Sequence, residues 1–286
     1  MKKRGTTIIL LVVFLAGLSL LVYPTFSDWW NSFHQTRAIM SYTETVTNLS
    51  NEEYEQLLDS ARDYNARWVQ RGTVYQLSDE QMADYTAQLD PGGTGIMCSI
   101  DIPSIRCNLP VYHGIDEAVL QVAVGHLEWS SLPVGGEGTH TVLSAHRGLP
   151  SARLFTDIDR MVVGDLFCLN VLDETLTYEV DQILIVLPED LSALQPVPGE
   201  DLCTLVTCTP YGINTHRLLV RGHRVANEIV DDPSRVTADG VQVQPVLVAP
   251  AIAVPLLIVV VAIQFADDRR QKAWGEDDED ETRQKT

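Results

Sequence analysis

The chain has 286 residues, 45% hydrophobic and 21% charged, enough for one sizeable core, with a formal net charge of −19. Residues 24–244 hold 12 Arg, no Lys and 31 Asp plus Glu, which argues against nucleic acid as a partner, because binding a phosphate backbone needs clustered cations. Five cysteines, an odd number, leave at least one thiol free or bridged between molecules.

The sequence opens on MKKR, and residues 7–23 then form an uncharged apolar run. That run is long enough, or nearly so, to cross a bilayer core of about 30 Å. No small-x-small cleavage site follows it, and YPTFSDWW reads as an aromatic interfacial belt, so the run reads as an uncleaved anchor rather than a signal peptide. A second uncharged run, residues 246–265, carries Pro250 and Pro255, which a lipid-packed helix tolerates better than a soluble one. Lys2, Lys3 and Arg4 flank the first run, and Arg269, Arg270 and Lys272 the second. The positive-inside rule then puts both termini in the cytoplasm and residues 24–244 on the outer face of the membrane. The expected order is a cytoplasmic N-terminus (1–6), a membrane anchor (7–23), a helical segment with a loop (24–93) and a folded domain (94–226). A linker (227–244), a second membrane helix (245–265) and an acidic cytoplasmic tail (266–286) follow.

Residues 28–48 are polar and mixed. Residues 48–68 then show helical periodicity, with Tyr54, Leu57, Leu58, Ala61, Tyr64 and Trp68 on one face. Ser50 and Glu53 are spaced as a capping box, with Leu49 and Tyr54 as a hydrophobic staple. Ser78 and Gln81 repeat the box for a second helix over 78–89. LDPGGTG, residues 89–95, breaks the pattern as a loop. From Ile96 the texture changes to at least seven short β-rich runs separated by turn residues, with brief helical candidates at 116–124 and 151–158. That pattern predicts a mainly β domain, a closed barrel or a sandwich, over 94–226. Cys98 and Cys107 lie equally far from Ile102-Pro103 and are candidates to face each other across a hairpin.

TLVTCTPYGINTHRLLVRGHR, residues 204–224, carries the chemistry. Acyl transfer on a thiol needs a thiolate, a proton carrier and a donor where the oxyanion develops. A thiol near 8.5 beside an imidazole near 6.5 gives only about 1% of the ion pair. A guanidinium, permanently charged, moves that balance toward thiolate and can donate to the oxyanion. Cys208 and Arg217 stand nine residues apart across a segment with Pro210, Gly212 and Asn214, so neighbouring antiparallel strands would bring them together. His146 lies just past another strand, where functional loops collect. The residues alone leave Cys208 open as a buried filler, a half-cystine or a nucleophile.

TLVTC with TPYGINTHRLLVRGHR resembles the signature of sortases, membrane-held transpeptidases of Gram-positive bacteria. VLSAHRGLPSARLFTDID resembles their histidine region, and GIMCSIDIPSIRCNLPVYHG and VGHLEWSSLPVGGEGTHTVL their first strands. The likeness runs over about residues 85–226, and TPYG, THRLLVRGHR and the C-terminal span resemble class C, the pilus-polymerising branch. It implies an eight-stranded sortase β-barrel with N-terminal helices, a lid loop and two transmembrane helices. It implies Cys208 as nucleophile, His146 as proton carrier and Arg217 as the cation at the oxyanion or sorting signal. His126 and Thr207 fall near the site as pocket-shaping or structural residues. Class C enzymes carry a lid with an Asp-Pro-aromatic motif; Asp90-Pro91 matches it, with Gly92 where the aromatic is expected.

The implied reaction is cleavage of an LPXTG-like sorting signal between Thr and Gly. The thioacyl enzyme then passes to a pilin lysine amine, with no cofactor or metal. Attachment of surface proteins to the peptidoglycan stem is the nearest alternative. A hydrolase using water as acceptor, and a non-catalytic membrane-tethered barrel with Cys208 in a disulfide, are the others.

Overall fold

A computed structural model describes residues 2–71 and 75–227. The expected linker beyond 227, second membrane helix and acidic tail lie outside the described residues. The chain divides into two units, and the unit Ser27–Ala238 holds the folded domain.

Helix α1 spans Lys2–Thr47 with Pro24 inside it, so the polar stretch 28–47 continues the helix of the apolar run. Among the described residues, Leu11–Thr47 is the one helix that contains an 18-residue stretch apolar enough to cross a membrane, with mean hydropathy 1.7 over that stretch. Within the folded unit, Asp28, Asn31, Gln35, Ala38, Tyr42 and Val46 recur at three- and four-residue steps and share one stripe of α1. Tyr42 and Val46 are buried, and Ala38 packs against the same core. Tyr42 donates through its hydroxyl to the Met97 carbonyl at 2.8 Å and accepts from the Leu172 N–H at 2.8 Å.

Helix α2, Asn51–Arg71, starts on the expected box: the Ser50 N–H donates to Glu53 at 2.9 Å, and the Glu53 N–H donates to Ser50 Oγ at 3.3 Å. Leu58, Ala61, Tyr64 and Trp68 are buried on its inner face, with Tyr54 and Leu57 partly so. Asn65, on the same face, reads the Leu132 backbone both ways, at 3.0 and 2.8 Å. Helix α3, Asp79–Thr86, carries the Ser78–Gln81 capping box and ends sooner than the periodicity predicts.

Eight strands follow: β1 Ile96–Ile102, β2 Cys107–His113, β3 Val124–His126, β4 Thr139–Ser144, β5 Leu166–Val171, β6 Glu174–Val186, β7 Asp201–Thr209 and β8 His216–Val225. They close into a barrel in the order β1-β2-β3-β4-β7-β8-β6-β5, with β2–β3 and β4–β7 parallel and the other pairs antiparallel. Strand β3 has only three residues and no alternation to betray it, and it hides in the run that also holds the one-turn helix α4, Glu117–Leu120. The second expected short helix, at 151–158, is a turn-rich loop ending in a 3-10 turn at Ile158–Arg160.

The β1–β2 ladder pairs Ile102 with Cys107 and Cys98 with Val111, so Cys98 and Cys107 do not face each other. The turn centres on Ser104-Ile105, two residues later than a turn at Ile102-Pro103 would. All five cysteines are free.

Two apolar layers explain why β7 is hydrophobic on both sides. Cys203 and Leu205 fill the barrel interior with Phe167, Tyr178, Leu218 and Val220. Val206 points the other way, into an outer cluster with Val142, Leu219, Trp68, Leu127, Trp129 and Leu194. Each such side chain contributes roughly 1.5–3 kcal/mol by leaving water.

Candidate active site

Register and pleat place the candidate residues. Cys208 and Arg217 are direct partners in the β7–β8 ladder. Cys208 shares the outer face with Val206, and Arg217 shares it with Leu219, because side chains alternate along a strand. Directly opposed residues on one face bring their Cβ atoms to about 5 Å. Arg217 donates to the carbonyls of His216 at 3.2 Å and Asn214 at 3.4 Å, which holds the guanidinium at the mouth of the β7–β8 turn.

Strand β4 runs parallel to β7, pairing Ser144 with Val206, so the chain leaving β4 passes alongside Cys208. The Ala145 N–H donates to the Val206 carbonyl at 3.2 Å, and Thr207 Oγ1 donates to the Ala145 carbonyl at 2.8 Å. Thr207 is buried, and its hydroxyl fixes where His146 leaves the sheet. The Phe155 N–H donates to the His146 carbonyl at 3.2 Å and closes the loop behind it. Cys208, His146 and Arg217 therefore stand at one mouth of the barrel.

The other thiols are poor nucleophiles. Burial pushes Cys107 up to about 12 and raises Cys98, Cys168 and Cys203 as well. Cys208 alone among the five is partly exposed, and it is not bridged to any of the other four.

His126 has a structural position. It is fully buried on β3, within hydrogen-bond distance of the Tyr85 hydroxyl at Nδ1 (3.0 Å) and the Ser131 carbonyl at Nε2 (2.8 Å). The carbonyl only accepts, so Nε2 carries the proton and Nδ1 accepts from Tyr85. Burial lowers its pKa to about 4, and the neutral ring pins α3 to the barrel.

The lid expectation for Asp90, Pro91 and Gly92 is corrected. These residues precede Ile96, where β1 begins, and β1 and β7 both run toward the mouth that carries Cys208, so Ile96 lies at the opposite mouth. Asp90 Oδ1 accepts from the N–H groups of Thr94 and Gly95 at 2.9 and 3.0 Å, an internal loop brace. Asp90 and Pro91 border a cleft against Leu49, Glu53 and Leu57, and a Cβ at Gly92 would meet Thr45 at 3.7 Å. The Asp-Pro pair therefore belongs to a turn that seats the barrel on α1 and α2.

The outer face leading to Cys208 is covered by residues that sequence reasoning did not single out. Leu77 packs on the outer apolar cluster, and the Tyr75 ring meets Trp129 edge-on, centroids 5.1 Å apart. Gln195 donates to the Tyr75 hydroxyl from the β6–β7 loop. Arg147, next to His146, pairs with Asp159, donates to Thr209 Oγ1 at 3.3 Å and lies 5.9 Å from the Tyr211 ring centroid. Gly148 sits at φ +78°, a conformation in which any side chain is strained, and a Cβ there would also press on that ring. Glu117 Oε2 lies 3.8 Å from His146 Nε2. None of these carries a spacing signal, because each meets its partner across the fold.

The family described as the sortase domain matches residues 100–225. The chain is 52% identical to sortase C1 from Streptococcus agalactiae, with 67% of this chain and 99% of that structure covered and a TM-score of 0.66. It is 42% identical to Clostridium perfringens sortase C solved with the C-terminal cell wall sorting motif, covering 67% and 99%, with a TM-score of 0.60. It is 28% identical over 140 residues to sortase A of Streptococcus agalactiae serotype III, covering 48% of this chain and 56% of that relative's length.

Proposed function

The chain belongs to the sortase family of cysteine transpeptidases, its solved neighbours include class C members, and from that premise we propose that it joins a sorting signal to an amine through a thioacyl intermediate on Cys208. The observation that carries this reading is the cross-strand pair Cys208–Arg217 on the outer barrel face, with His146 following the parallel strand β4. The sorting motif present with the Clostridium perfringens enzyme supports an LPXTG-like peptide as substrate here.

The Cys208 thiolate attacks the carbonyl carbon of the Thr–Gly bond. Arg217 donates to the oxyanion, where a planar fork in a partly dry site stabilises charge best. His146 as imidazolium gives its proton to the departing glycine nitrogen, the C–N bond breaks, and a thioester remains. A neutral amine then attacks the thioester, His146 removes its proton, the C–S bond breaks and an amide forms. The thioester conserves acyl-transfer potential, so chain elongation needs no nucleotide. In the class C reading the amine is a pilin lysine. The ectodomain has no lysine of its own to compete.

Anchoring is part of the same reading. The apolar stretch of α1 after Lys2, Lys3 and Arg4, with the second run at 246–265, would hold the barrel on the outer membrane face in two passes with both termini inside. Tethering near membrane-held substrates raises their effective concentration.

The test is mass spectrometry of the full chain incubated with a sorting peptide. A thioester adduct on Cys208, absent from Cys208→Ala, is the expected result. Peptide cleavage in Cys208→Ala would end the nucleophile assignment. Offering a lysine-bearing pilin segment against a stem-peptide amine separates pilus polymerisation from wall attachment.

A further inference from the structure

The reaction above gives His146 two opposite proton transfers, so its ring must be held in one orientation through both. The protein supplies a partner for it. Glu117 sits on α4 in the β2–β3 loop and points Oε2 at His146 Nε2 across 3.8 Å, while Gln121, one turn on, donates to its Oε1. One oxygen is thus held by the helix and the other left for the imidazole.

The two loops that carry this pair are far apart in sequence, and one helix holds both. Gln35 of α1 donates to the Val122 carbonyl at 2.7 Å, at the end of the Glu117 loop. Asn31 donates to the Ser151 carbonyl at 2.7 Å, and the Arg153 N–H donates to Asp28 Oδ1 at 2.8 Å, both in the His146 loop. All three bonds go to backbone groups, so they set where the loops lie. The residues occupy steps of three and four on one helix face, continuous with Tyr42, which ties the same stripe to β1 and to the β5–β6 turn.

We propose that Glu117 is a positioning residue for the transpeptidation. Its carboxylate orients the His146 imidazole, and the Asp28–Asn31–Gln35 stripe of α1 holds the two loops so that they meet. The contact spans a partly open site, with Glu117 72% exposed, so its contribution to folding is small and its effect is on catalysis.

The inference rests on the assignment of Cys208, His146 and Arg217 above. Its test uses the full chain in detergent, with steady-state transfer of a sorting peptide to an amine. Glu117→Gln is expected to lower kcat about tenfold, with KM for the peptide within about twofold of the parent. Glu117→Asp keeps the charge on a shorter arm and should recover part of the loss. Both should unfold at the parent temperature. Parent-like kcat in Glu117→Gln overturns the proposal, as do equal losses in Gln and Asp accompanied by a lowered unfolding temperature. His146→Ala run in parallel separates the levels. If it is inactive while Glu117→Gln is normal, only the inference fails; if it stays active, the assignment of His146 fails and the inference with it.

Discussion

At the scale of single residues, chemistry here follows from contrast in environment. Four thiols lie in the barrel wall or interior, where burial disfavours the thiolate. The fifth sits where β7 runs out, partly exposed and opposite a guanidinium. In the proposed reaction Arg217 acts as a fork, its guanidinium steadied by the carbonyls of Asn214 and His216. Arg217→Lys should therefore lower kcat/KM by about a hundredfold, measured by peptide cleavage, while the barrel unfolds at the parent temperature. Turnover close to that of the parent would leave Arg217 with no role at the oxyanion. Thr207 shows a different use of a polar side chain: its buried hydroxyl registers the His146 loop on β7 and touches no reacting atom.

At the scale of elements, three pieces outside the barrel shape the site. The α1 stripe bonds to loops at the active mouth through residues 28–35 and to the barrel near Met97 and Leu172 through Tyr42. Fourteen residues of helix rise about 21 Å, enough to reach from one mouth toward the other. Residues 75–78, just before α3, put Tyr75 and Leu77 over the outer face that leads to Cys208. Replacing both with alanine should speed alkylation of Cys208 by a small thiol reagent about fivefold, because these two side chains cover that face and alanine removes their contacts with it. Asp90→Ala, at the opposite mouth, should leave the rate unchanged. A faster rate in Asp90→Ala and none in the double variant would return the lid to residues 90–92.

At the scale of the whole molecule, buried neutral histidines tie the barrel's stability to pH. Burial lowers both His126 and His140 from 6.5 to about 4. His140 is within hydrogen-bond distance of the Gln195 carbonyl at 2.9 Å and Thr204 Oγ1 at 2.7 Å, so its neutral ring also bridges elements. A histidine with a depressed folded-state pKa costs nothing above its unfolded value. Below about 6.5 the unfolded chain takes up the proton first, so stability falls as pH drops toward about 4, by up to about 3 kcal/mol per ring. Asp101 and Asp201, raised by burial, work in the opposite direction just above their ordinary 3.8. The histidine effect is thus read most cleanly between pH 7 and 5. The unfolding temperature should be flat above pH 7 and fall through that window. A constant value from pH 7 to 5 would mean that these rings are not buried in the folded state.

What was legible in the sequence is what local chemistry and periodicity write down. Capping boxes at Ser50 and Ser78, the helical face ending at Trp68 and seven of the eight strands each depend on residues within one element. Strand ends and a turn bracket Cys208, His146 and Arg217, but the residues alone leave Cys208 open as filler, half-cystine or nucleophile, and it is the family resemblance that singles out the three as candidates. Tertiary structure alone decided the rest. Three residues of β3 hold too little pattern to read, and the β1–β2 turn centre moved by two positions, parting Cys98 from Cys107. Asp90-Pro91 looked like a lid because a dipeptide carries no information about which end of a barrel it caps. That depends on the direction of β1, which the pairing of all eight strands sets. The contacts of Glu117 with His146, Tyr75 with Trp129 and α1 with two loops join residues 29 to 125 positions apart. Contacts between residues so far apart in sequence exist only once the barrel has closed and brought their backbones together.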